Sequence, residues 1–86
     1  MKVVILYHPQ SEWSRIVEEY ARDFERQRAK KIDLISVDEK EGSDMARLYD
    51  IVRYPAVLAL RDNGEMLAQW QGEQLPLMNE VAGYLN

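Results

Sequence analysis

Five consecutive apolar residues near the N-terminus, Val3-Val4-Ile5-Leu6-Tyr7, constrain this chain more than any other feature. In a strand, successive side chains point to opposite faces, so a strand with one wet face alternates apolar and polar residues. This run does not alternate, and both of its faces must therefore be covered. It reads as a central strand, and a chain with such a strand needs further layers above and below it. The chain has 86 residues, 47% hydrophobic and 30% charged. That balance is globular, and the length suits one compact domain spanning residues 1–86.

The next stretches supply the layers. His8-Pro9-Gln10-Ser11 breaks the run, and from Trp13 the apolar positions fall at Trp13, Ile16, Val17, Tyr20 and Phe24, the spacing of one helical face. Ser11 is expected to cap that helix through its side-chain oxygen, and Arg26, Arg28, Lys30 and Lys31 gather near its C-terminal end, where cations suit the helix dipole. Ile32 to Val37 reads as a second strand and Asp38 to Asp44 as an acidic loop containing Gly42. Ser43 then caps a short helix that buries Met45, Leu48 and Tyr49. Ala56 to Leu60 is another apolar strand. Asp62-Asn63-Gly64 signals a tight reversal, after which Glu65 to Gln71 returns with Met66, Ala68 and Trp70 on one face. Gly72 to Gln74 ends that strand, and Pro76 opens a last helix carrying Leu77, Val81 and Leu85. The predicted order is β-α-β-α-β-β-α, a parallel unit followed by an antiparallel hairpin.

Several chemistries are excluded by what the chain lacks. It has no cysteine, hence no disulfide, thiolate metal site, cysteine nucleophile or thiol redox couple of its own. With His8 as its one histidine it has no zinc cluster of the usual kind. No metal and no cofactor is expected. Asp38, Glu39, Glu41 and Asp44 are crowded enough to suggest calcium, but Gly42 stands at the fifth place from Asp38 and not the sixth, so a solvated loop is the better account. The net charge of −4 does not suit nucleic-acid binding. The longest apolar run is far too short to cross a bilayer or form a signal-peptide core, so no membrane contact is expected and the cytoplasm is the expected compartment.

The element order, the helix start soon after the first strand, and the stretch Leu48-Tyr49-Asp50-Ile51-Val52-Arg53-Tyr54-Pro55-Ala56 resemble the minimal thioredoxin/glutaredoxin fold over essentially the whole chain. The resemblance implies an α/β fold with a four-stranded mixed sheet and helices on both faces, with Pro55 as the family's cis-proline. Family members carry Cys-x-x-Cys at the start of the first helix. Here that position reads Ser11-Glu12-Trp13-Ser14, with the spacing kept and both sulfurs gone. A serine hydroxyl does not ionise usefully at a helix start, and two serines form no disulfide. The family's buried acid is missing too, since the matching strand is Val3 to Leu6.

What remains of the family's site is a groove, which in the family holds an extended segment of a substrate against the backbone beside the cis-proline. Trp13 and Tyr54 would border it, and amphipathic aromatics of this kind are common interface anchors. The expected site is therefore Ser11, Glu12, Trp13, Ser14, Tyr54 and Pro55, and the expected partner a protein or peptide, with glutathione as a weaker candidate. Each residue also has a plainer role: Ser11 as a cap, Ser14 as a small polar residue of the first turn, Trp13 as the start of the buried helix face, Tyr54 as packing over the sheet edge, and His8 as an exposed loop residue. A serine hydrolase using His8 lacks a nucleophile elbow and a placed acid. Two further classes stay open: a dithiol oxidoreductase represented by its Cys-to-Ser variant, and a small structural module, monomeric or weakly self-associating, that pairs through strand edges.

Overall fold

A computed structural model describes residues 1–85. Its elements in chain order are β1 (Lys2–Tyr7), α1 (Ser14–Arg28), β2 (Asp33–Ser36), α2 (Lys40–Leu48), β3 (Ala56–Leu60), β4 (Met66–Gln71) and α3 (Met78–Ala82). The strands form one sheet in the order β2-β1-β3-β4. β1 runs parallel to β2, with Ile5 beside Leu34, and antiparallel to β3, with Ile5 beside Val57. β3 and β4 form the antiparallel hairpin. The expected α/β architecture, a mixed four-stranded sheet covered by helices on both faces, is present.

The absence of alternation in β1 now has its physical reason. Val3, Ile5 and Tyr7 face a core shared with Val17 and Phe24 of α1, Val57 and Ala59 of β3 and Val81 of α3. Val4 and Leu6 face the opposite core with Ala56, Leu58 and Leu60 of β3, Ala46 of α2 and Ile51. Val3, Val4, Ile5 and Leu6 are fully buried, and each such side chain contributes about 1.5–3 kcal/mol of transfer free energy. Within the predicted face of α1, Val17 and Phe24 are buried and Tyr20 is half-buried, while Ile16 remains largely exposed.

Tertiary packing overrides local expectation in the second half of the chain. α2 begins at Lys40, with Glu39 at its cap position, so Ser43 lies inside the helix and Gly42 is not a loop residue. Gly42 is buried against β2: a Cβ there would lie 2.0 Å from the Ser36 carbonyl oxygen. A glycine that lowers intrinsic helicity is what lets α2 approach β2 at all. Leu48, expected in the core, is 72% exposed, and Ala46 is buried in its place. In β4 a bulge between the Ala59 and Leu60 pairings makes Leu60 face Met66 directly, skipping Leu67. Leu67, Ala68 and Trp70 therefore pack on the α1 side, while Met66 packs on the α2 side and not with Ala68 and Trp70. Bulges re-aim side chains in just this manner. α3 starts at Met78, two residues beyond Pro76, and Leu77 is 70% exposed.

The hairpin turn follows the sequence closely. Gly64 has φ +93°, its N–H bonds to the Arg61 carbonyl at 2.9 Å, and the Asn63 side chain accepts the Glu65 N–H at 3.0 Å. The Tyr49 hydroxyl donates to the Gly64 carbonyl, fastening the end of α2 to the turn. Among the described residues no helix is long and apolar enough to cross a membrane.

Candidate functional site

Past β1 the chain turns at His8-Pro9, and the Ser11–Ser14 segment is held by its own short-range bonds. The Ser11 N–H bonds to the His8 carbonyl at 3.0 Å, and its hydroxyl donates to the same carbonyl at 2.7 Å. The Ser11 oxygen also accepts the Trp13 N–H at 3.3 Å, and the Ser14 N–H reaches the Ser11 carbonyl at 3.3 Å. α1 itself begins only at Ser14, with Trp13 at the cap position and no side-chain cap. Ser11 is thus not the helix cap expected of it. Its hydroxyl closes a turn three residues earlier, the local alternative that serine offers to helix capping. Glu12 is exposed, and Trp13 and Ser14 are half-buried.

The second half of the site is held from a distance. After α2, Asp50 takes the left-handed conformation (φ 57°) and Ile51 enters the core. The side-chain carbonyl of Gln71, at the end of β4, accepts the N–H groups of both Val52 and Arg53 at 3.0 Å each. Next to it the Gly72 N–H donates to the Pro55 carbonyl at 3.0 Å, and Gly72 has φ +112°. The Tyr54 hydroxyl donates to the Ile51 carbonyl at 3.2 Å. The Tyr54–Pro55 peptide bond is cis. Pro55 is buried and Tyr54 half-buried.

These bonds leave the Tyr54 backbone unpartnered: among the described residues, none accepts the Tyr54 N–H and none donates to the Tyr54 carbonyl. Beside it lies a cleft of about 440 Å³ lined by Arg53, Tyr54, Gly72 and Glu73. Backbone groups left unpaired at an open cleft are the groups through which an added strand binds.

His8 joins the two halves. Its carbonyl holds the Ser11 turn, while its ring meets the Tyr54 ring edge-on, centroids 5.0 Å apart and planes at 76°. The ring Nδ1 is 3.1 Å from Asp38 Oδ1 beyond β2. His8 is exposed, as the sequence suggests, yet it is tied to three segments. The Ser11–Ser14 turn does not line the cleft at Tyr54; it reaches that cleft through His8. Sequence reasoning missed His8, Gln71 and Gly72 as builders of the site. The available signal was positional: His8 directly follows the strand run, and Gln71-Gly72 is the exit of β4.

Within the acidic stretch, Asp38 and Asp44 have protein partners, His8 for the first and Lys40 and Arg47 for the second. Lys40 Nζ lies 2.7 Å from Asp44 Oδ2, and this hydrogen bond holds the Asp44 carboxyl below its ordinary range. Among the described residues there is no group of three or more His, Asp or Glu side chains placed to hold a metal ion.

No family model matches the chain, and no curated protein matches it in sequence. Solved structures do match. Thioredoxin 1 from the thermophilic eubacterium Thermosipho africanus TCF52B is similar with a TM-score of 0.67 at 13% identity, over 99% of this chain and 90% of that one. A malarial protein gives 0.65 at 17% identity, over 96% and 90%. Thioredoxin-2, a component of malaria parasite protein secretion machinery, gives 0.58 at 21% identity, over 98% and 81%. Identities this low speak to the fold alone: the chain has a thioredoxin-like fold, and its sequence contains no cysteine.

Proposed function

We propose that this chain is a redox-inactive thioredoxin-fold module of the cytoplasm that binds an extended protein or peptide segment at the Tyr54-Pro55 loop, with the Ser11–Ser14 turn adjoining that cleft through His8. The observation that carries this reading is the unpartnered Tyr54 N–H and carbonyl, presented at a cleft and fixed there by Gln71 and Gly72. A partner strand laid along them makes main-chain hydrogen bonds that need no particular side chain. Val52, two residues earlier and 80% exposed, adds apolar surface. The half-buried Tyr54 and Trp13 supply amphipathic rings of the type that anchor interfaces. Thiol–disulfide exchange has no nucleophile in this sequence, and the Ser11 hydroxyl is engaged in two bonds of its own turn. Glutathione, itself a short peptide, is a weaker occupant of the same cleft.

The test is amide chemical-shift mapping of the labelled protein against uncharged extended pentapeptides rich in Val and Thr, with glutathione as a separate titration. Shifts centred on Arg53, Tyr54, Gly72 and Trp13 support the reading. Shifts confined to the α1–β2 side, around Ala21 and Leu34, or to α3 would overturn it.

A further inference from the structure

The cleft at Tyr54 has charged walls of opposite sign. Arg53 belongs to the loop before Pro55 and Glu73 to the segment that follows β4, and both line the cleft together with Tyr54 and Gly72. Both are exposed, and among the described residues neither lies within ion-pair distance of an opposite charge. Arg15, Arg26, Lys40, Arg47 and Arg61 each have an oppositely charged neighbour; among the described residues Arg53 and Glu73 do not, and they line the same cleft as the unpartnered Tyr54 backbone. Their positions are fixed through the backbone: Arg53 by its N–H bond to Gln71, and Glu73 by the bond from Gly72 to Pro55 just before it.

On the footing that the cleft is the binding site, we propose that Arg53 and Glu73 select a partner segment in which an acidic and a basic residue are adjacent. Successive side chains of an extended chain point to opposite sides. A segment lying along Tyr54 therefore turns one side chain toward the Arg53 wall and the next toward the Glu73 wall. An acidic–basic step satisfies both walls, while a step of two like charges satisfies one and opposes the other. Each exposed pairing contributes little, about a two- to fivefold change in affinity. The selection therefore appears as a ranking among peptides and not as an all-or-none effect.

The experiment titrates the labelled protein, at physiological salt, with four blocked pentapeptides of one Val/Thr frame whose central pair is Asp-Lys, Lys-Asp, Asp-Asp or Lys-Lys. At that ionic strength the net charge of the chain is screened beyond about 8 Å, so the ranking reports the walls themselves. The wild type is expected to bind one of the mixed peptides about three- to tenfold more tightly than either like-charged one. Arg53→Glu makes both walls acidic and moves the preference to Lys-Lys. Glu73→Arg makes both walls basic and moves it to Asp-Asp. Both side chains are exposed, so the variants keep the fold, which their unshifted core amides verify. If all four peptides shift Tyr54 with equal affinity in wild type and variants, the charge selection is wrong and the binding cleft stands. If none shifts Tyr54 while another surface responds, the cleft itself is wrong and the selection falls with it.

Discussion

The Ser11–Ser14 turn and the Tyr54-Pro55 loop are neighbours, joined by His8, and they are held in opposite ways. Every bond recorded above for the turn is short-range, from Ser11 to His8 and from Trp13 and Ser14 back to Ser11. The loop has one short-range tie, from the Tyr54 hydroxyl to Ile51, and is otherwise held by Gln71 at the end of β4 and Gly72 just after it, which lie 17 to 19 residues further along the chain. A turn that supports itself tolerates a change of chemistry without disturbing the sheet. A loop that depends on a distant strand is part of the sheet's own architecture. In this chain the self-supporting turn carries serines, and the loop held from a distance leaves the Tyr54 backbone unpaired.

The scaffold sets the scale against which both regions are measured. Gly42→Ala is expected to cost about 3 kcal/mol or more, because the new methyl meets the Ser36 carbonyl and α2 must retreat from β2. Helix propensity alone predicts the opposite, a gain of about 1 kcal/mol, so denaturant unfolding decides the sign. Gly72→Ala comes next. Its Cβ has open space around it, so the cost is backbone strain at φ +112°, about 1–2 kcal/mol. Peptide binding at Tyr54 should weaken with it, and unaltered binding would break the claim that β4 positions the loop. Gln71→Ala removes one acceptor from two exposed N–H groups that water then solvates, costing about 1 kcal/mol. Faster amide exchange at Val52 and Arg53 is the readout. Ser11→Ala is expected to cost about 0.5–1 kcal/mol, to sharpen no exchange at Arg53, and to leave peptide binding at Tyr54 within about twofold. A larger loss would show that the turn and the loop are one unit.

A control lies outside both regions. The Tyr20 hydroxyl donates to the Pro76 carbonyl at 2.7 Å, and burial, followed by the Glu80 carboxylate, pushes its pKa from 10.0 up to about 12. Because the native state favours the neutral phenol, this contribution is complete below pH 10 and is lost as pH rises toward 12. Stability should fall over that window, Tyr20→Phe should flatten the fall, and neither region of the site should respond to that substitution.

Much of this architecture is legible in the sequence where one physical signal acts alone. The unbroken apolarity of Val3 to Tyr7 means a strand covered twice, and Asn63-Gly64 means a reversal, whatever surrounds them. Legibility fails where packing competes with local preference. Gly42 reads as a loop residue by propensity, yet it sits in α2 because only glycine fits against Ser36. The alternation of Met66, Ala68 and Trp70 is undone by a bulge that period-two reasoning does not contain. At the site, the residues named from the thioredoxin resemblance are those at its motif positions. The residues that fix the loop, Gln71 and Gly72, act over a long sequence distance, and His8 acts through ring packing. The local pattern marks only their positions, after the first strand run and at the exit of β4, and not the interactions themselves.

The proposed pairing of a partner with the Tyr54 backbone is read out by the exchange rate of the Tyr54 amide hydrogen. On saturation with an extended peptide, that hydrogen should exchange at least tenfold more slowly, while the Glu12 and Trp13 amides change far less. A peptide that binds the protein and leaves the Tyr54 amide exchanging at its free rate would show that the partner does not pair with this backbone.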